Sequence, residues 1–327
     1  MNLSTTARMT IAARAARYSL SVRVSVIIVL IPHDTYFFPV ENESAAVDTR
    51  YMVHTEVRNT RIYIGPAGWS YADWEGTVYP PGTGYDRLLY IARYFRVIEL
   101  NSSFYRIPQP KMVSSWRDRL SAIPGFRLNI KVNGRFTHER KYSPAELKEF
   151  IERFSPLQEA GISGPFLLQF PWSFRNTSES REYLEGLAPF FAGHPAAVEL
   201  RHGSWDVPDT SELLSRCGFA FCNIDQPVIG DSLEPSTHLT DVDTGYIRLH
   251  GRNAKNWFRK DAGRDARYDY LYSRKELEEW SKRAGDMIGK VGSLFIITNN
   301  HFQGQALANG LQLRSMLEGG TIEAPAC

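Results

Sequence analysis

Cysteine is scarce in this chain. Only Cys217, Cys222 and Cys327 occur, an odd number with neither CxxC nor zinc-ligand spacing, so neither a disulfide framework nor a thiolate zinc site has support. A reducing, cytoplasmic setting is expected, with Cys222 an inert thiol inside a strand. Strong charge of one sign is also absent: 38 basic and 36 acidic residues leave a net charge of +2, which gives no general attraction to nucleic acid or acidic membrane. Any basic site has to be local. No GxGxxG or other Gly-rich phosphate loop opens a helix, and no Ser or Cys sits in a nucleophile elbow, which disfavours nucleotide-cofactor and acyl-enzyme chemistry. No cofactor is named by the sequence. Long apolar runs are missing as well. The stretch 22–31 is interrupted by Arg23 and is short for a membrane span.

What is plentiful is core-forming material. With 43% hydrophobic and 13% aromatic residues in 327, the chain can fill one large domain or two ordinary ones. Residues 1–60 do not match the remainder. Arg8, Arg14 and Arg17 precede the short apolar run without an acid among them, in the manner of a targeting segment, yet no small-residue cleavage site follows promptly. The segment is read as an extension that is disordered or upstream of the true start, followed by one domain over 61–318 and a tail over 319–327.

From Ile62 onward strands and helices alternate. Strands are expected at 61–65, 97–101, 126–132, 166–170, 197–201, 219–223, 246–250 and 293–297, from alternating apolar positions bounded by turn residues. Helices are expected from Tyr85; from Pro110 through Met112, Val113, Trp116 and Leu120; from Ser143 to Gly161; over 179–191; from an Asp209 or Thr210 cap to Cys217; over 273–288; and over 304–317. The connection 226–245 lacks helical period, and a long charged loop is expected over 251–270. Eight strand/helix units in about 260 residues match a TIM-like (β/α)8 barrel, with a doubly wound open sheet as the alternative.

Parity favours the barrel. The last inward positions read as polar on strand after strand: Glu99 and Asn101, Lys131, Gln169, Glu199 and Arg201, Asn223, Arg248 and His250, and Asn299. Branched apolar residues are the usual filling there, so these groups have to pair, face water or hold a ligand.

The blocks Ile64-Gly65-Pro66-Ala67-Gly68-Trp69-Ser70-Tyr71 with Trp74 and Tyr79-Pro80, Glu99-Leu100-Asn101-Ser102-Ser103-Phe104-Tyr105-Arg106, Glu199-Leu200-Arg201-His202-Gly203-Ser204-Trp205, Tyr246-Ile247-Arg248-Leu249-His250-Gly251-Arg252, and Asn299-Asn300-His301 before Gly304 follow one another in this order. In that set the chain resembles the domain-of-unknown-function 72 family, the YecE-like proteins. The resemblance spans residues 62–317; it implies a TIM-like barrel and no established activity. It departs at Gly65-Pro66-Ala67-Gly68, where Gly-Thr-Ser-Gly is usual, so no hydroxyl chemistry is expected of that loop.

Two carboxylates at matching heights, Glu99 and Glu199, are the candidate acid/base pair of a hydrolase or lyase; the competing reading is that Arg106, Arg201 or Arg248 pairs with them structurally. His250 is a candidate base, or a metal ligand with Glu99, Glu199 and Asp225; His202, His138 and His301 have weaker claims. Lys131, Arg201 and Arg248 suit an anionic or sugar-like small molecule, under a loop carrying Arg252, Lys255, Arg259, Lys260, Arg264 and Arg267. Trp69, Asn101, Tyr105, Gln169, Trp205, Asp225, Asn299 and Asn300 complete the candidate binding set. Trp69, Tyr71, Trp74, Phe104, Tyr105, Trp172 and Trp205 follow strand ends and suit stacking on a sugar or base. The alternative is a non-catalytic or single-strand nucleic-acid-binding barrel.

Overall fold

Strands that bury both faces need apolar residues outward, toward covering helices, and a layered filling inward. The computed structural model, which describes residues 59–80, 84, 86–259 and 265–319, builds such strands at β1 Arg61–Pro66, β2 Val97–Leu100, β3 Arg127–Lys131, β4 Ser163–Gln169, β5 Ala196–Glu199, β6 Ala220–Asp225, β7 Thr244–Leu249 and β8 Ser293–Thr298. All pairings are parallel, in the order β1-β8-β7-β6-β5-β4-β3-β2. The two ends of that order meet where Ala67 lies opposite Glu99 and the Gly68 N–H donates to the Glu99 carbonyl at 2.8 Å. The result is a nearly closed TIM-like barrel, as expected.

The helices are α1 Arg87–Ala92, α2 Ser102–Tyr105, α3 Pro110–Leu120, α4 Pro144–Glu152, α5 Ser155–Glu159, α6 Ser178–Phe191, α7 Pro208–Arg216, α8 Ala254–Trp257, α9 Arg274–Met287 and α10 Gln305–Glu318. Outward residues Ile64, Ile247, Leu249 and Ile296 pack with Leu277, Trp280 and Met287 of α9. Inward, Tyr63 stacks on Phe295 at 4.8 Å, and Phe295 on Tyr246 at 6.0 Å, filling the lower barrel. Ser143 and Ser273 each form a capping box with the glutamate three residues on, which satisfies backbone donors at the starts of α4 and α9.

Several expected boundaries shift for local reasons. The helix expected from Ser143 to Gly161 breaks between α4 and α5, because Pro156 has no N–H for the carbonyl four residues back. Neither Asp209 nor Thr210 caps α7; Val207 precedes it and Pro208 opens it without a side-chain cap. Met112, placed on the apolar stripe of α3, is 48% exposed. The connection 226–245 is irregular, whereas the charged loop after β7 contains α8 and a 3₁₀ turn at Asp265–Tyr268. The extension apart from residues 59 and 60, the tail beyond Gly319, and Lys260, Asp261 and Arg264 lie outside the described residues. Among the described residues, no helix is long and apolar enough to cross a membrane.

Barrel closure requires glycine at position 65, where an added Cβ would stand 1.9 Å from the Val97 carbonyl oxygen. Gly65→Ala is expected to lower the melting temperature by several degrees or to prevent folding. Gly285→Ala, in α9 with nothing within 4 Å of the added carbon, is expected to stabilise by about 0.5–1 kcal/mol. Paired thermal melts check both, and equal melts for the two variants would contradict the closure argument.

Candidate functional site

The inward polar residues meet in one connected network around Arg248. Arg248, Glu99, Glu199 and His250 are all 0% exposed, and they come from β7, β2, β5 and the residue after β7. Arg248 Nη2 donates to Glu99 Oε1 at 2.5 Å, and Nη1 donates to Glu199 Oε2. The second Glu99 oxygen accepts from the Tyr246 hydroxyl at 2.8 Å, which in turn accepts from Asn129 Nδ2 at 2.8 Å. Glu199 Oε1 accepts from Arg201 Nε at 2.7 Å and Nη2 at 2.6 Å. It also lies 3.2 Å from His250 Nε2.

Two donors and one acceptor surround the His250 ring: Asn299 Nδ2 lies 2.9 Å from Nδ1, while Arg201 Nη2 at 3.3 Å and Glu199 Oε1 at 3.2 Å lie near Nε2. Burial drives the His250 pKa down to about 3 against the pull of Glu199, so the ring is neutral. Burial alone would push the Glu199 carboxyl up, but Arg248, Arg201 and His250 hold it well below the usual carboxylate range. The structure thus brings Glu99 and Glu199 together with a guanidinium between them. Both carboxylates are occupied by cationic and hydrogen-bonding partners.

Above this floor opens a cavity of about 260 Å³ at the C-terminal ends of the strands. Lys131, Gln169 and Arg201 enter it from β3, β4 and β5; α2 contributes Phe104 and Tyr105, and the loop after β7 contributes Arg267 and Tyr268. Arg201 gives one edge to Glu199 while its guanidinium carbon lies 5.7 Å over Trp257. Its Nη1 has no hydrogen-bond partner among the described residues. Lys131 Nζ lies 4.4 Å from the Phe104 ring centre and has neither an ion pair nor a hydrogen bond among the described residues. Burial first, and Arg248 next, pull its pKa down to about 7 despite Glu199 and Glu99. The Arg267 Nε is buried without a hydrogen-bond partner among the described residues. Pocket and floor together hold Lys131, Arg201, Arg248 and Arg267 against Glu99 and Glu199, so positive charge is in excess.

Other candidates divide. Trp69 and Asn101 line a neighbouring cavity of about 350 Å³, which shares Tyr105 with the first; Asn101 Nδ2 also reaches Asn299 Oδ1 at 3.5 Å. Asp225 is turned away from the mouth: it pairs with Arg252 at 2.9 Å and accepts from Trp280 Nε1 at 2.5 Å, between β6 and α9. Asn223 shares that outward parity and holds the following loop through His238 and Ser236. Asn300 donates to the Tyr270 carbonyl and to Asn309 of α10. Trp205 stacks on Phe174 at 5.5 Å and donates to the Phe174 carbonyl, while Trp74 donates to the His301 carbonyl; both are buried scaffold. Arg252, expected in a basic lid, is held by Asp225, Glu276 and Glu279. The set His250, Glu99, Glu199 and Asp225 is not assembled as metal ligands, and among the described residues no group of three or more His, Cys, Asp or Glu side chains is placed to hold a metal.

Sequence reasoning undervalued His138 and missed Gln226. His138 reaches the cavity because residues Arg135–Glu139 form a π-helical turn, closed by Arg140 in the left-handed region at φ 55°. Burial, then Lys131, lowers its pKa to about 4. Gln226 donates to the Arg201 carbonyl at 3.2 Å and so anchors the backbone that carries the Arg201 guanidinium. Its place directly after a strand end was the available signal.

Fold and site define a TIM-like barrel with a polar, positively charged pocket at the C-terminal mouth. The family model described as Protein of unknown function DUF72 matches residues 63–326, and the chain belongs to this family. It is 30% identical over 272 residues to UPF0759 protein YunF of Bacillus subtilis (strain 168), covering 79% of this chain and 95% of that one. Identity to UPF0759 protein YecE of Escherichia coli O157:H7 is 30% over 172 residues, 51% of this chain and 58% of that protein. A crystal structure of a DUF72 family protein from Thermotoga maritima superposes with a TM-score of 0.71 at 34% identity, covering 79% of this chain and 99% of that one.

Removing Arg248 leaves two buried carboxylates without their shared cation. Arg248→Met is expected to lower the unfolding free energy by about 3–5 kcal/mol, and adding Glu199→Gln to recover part of it, as urea denaturation will show. Because the folded Glu199 pKa is depressed, its pairing contributes stability that is complete above about pH 4.3 and is lost as pH falls toward the lowered value. Glu199→Gln should therefore flatten the acid limb of stability against pH. An Arg248→Met loss under about 1 kcal/mol would refute a supporting role for this network.

Proposed function

We propose that the protein is an enzyme acting on a small anionic molecule bound in the 260 Å³ cavity, by lyase-type rather than glycosidase-type chemistry. The observation that carries this reading is the excess of cations facing the cavity. Among the described residues, Arg201 offers a free edge, Arg267 an unpartnered Nε and Lys131 an unpaired ammonium. Arg is suited to a carboxylate or phosphate by its fork of donors.

Glycoside cleavage needs one carboxyl that is protonated near neutral pH. Glu199 is held ionised and wholly buried, and Glu99 is tied to Arg248 and Tyr246. In this reading both carboxylates fix the guanidinium groups, and His250 with Asn299 holds Glu199 in place. Gln169, Trp69, Asn101 and Tyr105 shape the mouth. A single strand of nucleic acid is the second reading, favoured by Tyr105 and Phe258 at the rim, 65% and 50% exposed, where bases can stack.

Sulfate is a suitable probe because its charge is constant across neutral pH. Calorimetry is expected to show sulfate binding that weakens as pH rises through about 7, where Lys131 loses its proton. The groups facing Lys131 that set this value are Arg248 and Arg201, opposed by Glu199 and Glu99, with His138 neutral. Lys131→Met should bind more weakly and without that pH dependence. Absence of sulfate binding, together with tight and steeply salt-dependent oligonucleotide binding, would replace the enzyme reading with the second one.

A further inference from the structure

Lys131 is an unusual member of the cluster just described. The charges of the floor beneath it are paired among the described residues: Arg248 with Glu99 and Glu199, and Arg201 with Glu199. Lys131 ends β3, and its backbone is pinned, since its carbonyl accepts from Ser103 Oγ at 2.6 Å and the next N–H donates to Leu167. The side chain leaves this rigid strand end and delivers Nζ into the cavity over the face of Phe104. A lysine serving only to hold charge is expected to find a carboxylate. This one lies over an aromatic ring and pairs with no carboxylate among the described residues, the nearby Glu99 and Glu199 being taken up by Arg248 and Arg201.

Resting on the anionic-substrate reading above, we infer that Lys131 is the covalent nucleophile of the site and that the substrate is a carbonyl compound carrying a carboxylate or phosphate, such as a 2-oxo acid. The free edge of Arg201 takes the anionic group, and Nζ faces the carbonyl carbon. The neutral amine adds to that carbon: the N–C bond forms, the carbonyl π pair moves to oxygen, and a carbinolamine results. Loss of the oxygen with the two amine protons as water leaves a Schiff base. Nothing is oxidised or reduced. Once protonated, the C=N group withdraws electrons from the neighbouring carbon, the property a lyase needs to break or make a bond there. Two general features favour the amine form: a desolvated stem and adjacent cations both disfavour ammonium. With a pKa of about 7, about half the molecules carry free amine at neutral pH, against a very small fraction for a lysine at the ordinary value of about 10.4.

The test is reductive trapping on the full chain. Protein is incubated at pH 7 with glyoxylate or pyruvate and sodium cyanoborohydride, and modified lysines are located and timed by peptide mass spectrometry. Lys131 is expected to be labelled at least about tenfold faster than Lys148, to be protected by sulfate, and to carry no adduct in a Lys131→Met variant checked by circular dichroism. Because the rates are compared within the wild-type protein, the result does not depend on that variant folding. Trapping should accelerate as pH rises from 6 to 8, the opposite of sulfate affinity. If sulfate binds in calorimetry but Lys131 is labelled no faster than Lys148, the Schiff-base step is wrong while the anion site stands. If sulfate neither binds nor protects and Lys131 is not labelled, both readings fall.

Discussion

The pairing of Arg248 with Glu99 and Glu199 is the constraint on which the upper barrel depends. One guanidinium ties β7 to β2 and β5, strands that are not neighbours in the sheet order. Each carboxylate then fixes a second group, Tyr246 on one side and Arg201 with His250 on the other. Burying one such charge alone would be prohibitive. Buried together, each supplies the other's missing solvation. Against well-packed apolar residues such a triad is seldom a net gain in stability, and what it provides here is position: Arg201 is held with one edge occupied and the other facing the cavity.

The barrel itself was legible because hydrophobic period, turn chemistry and the spacing of polar strand ends pointed the same way. The inward parity of Glu99, Lys131, Glu199, Arg248 and Asn299 followed from alternation alone. Strand β6 shows where alternation fails. Its polar residues lie on the outward parity, where Ser236 and His238 hold Asn223 and Arg252 and Trp280 hold Asp225, so polarity marked the wrong side, and Cys222 rather than Asn223 belongs to the interior. The same reversal takes Asp225 out of the mouth and against Trp280 of α9. Asn300 follows the inward Asn299 and so points outward to α10. Trp205 was read from its place after a strand, although large aromatics at such positions are also what packs the loops.

Pairing geometry was beyond the sequence. Both an acid/base dyad and an arginine-bridged pair satisfy the pattern of Glu99, Glu199, Arg201 and Arg248, and which one forms depends on side-chain distances of a few ångströms set by barrel closure. His138 was obscured for a different reason. Its approach depends on a π-helical turn and a left-handed Arg140, and neither leaves a composition signal of the kind glycine provides.

The neutralised floor explains why Lys131 stands apart. With Glu99 and Glu199 already shared among Arg248, Arg201 and Tyr246, the floor has no carboxylate oxygen left to capture an ammonium, while Arg248 and Arg201 repel one. Phe104 offers the face of its ring, an attraction of about 0.5–2 kcal/mol, weaker than pairing and without a fixed direction. That contact depends on Gly134, since a Cβ there would lie 3.0 Å from Phe104 Cζ. A pinned strand end, an aromatic face and a floor with no acceptor to spare together keep the amine in reach of the cavity and close to its neutral form. A carboxylate left unpaired beneath it would have locked the same side chain as an ordinary ion pair.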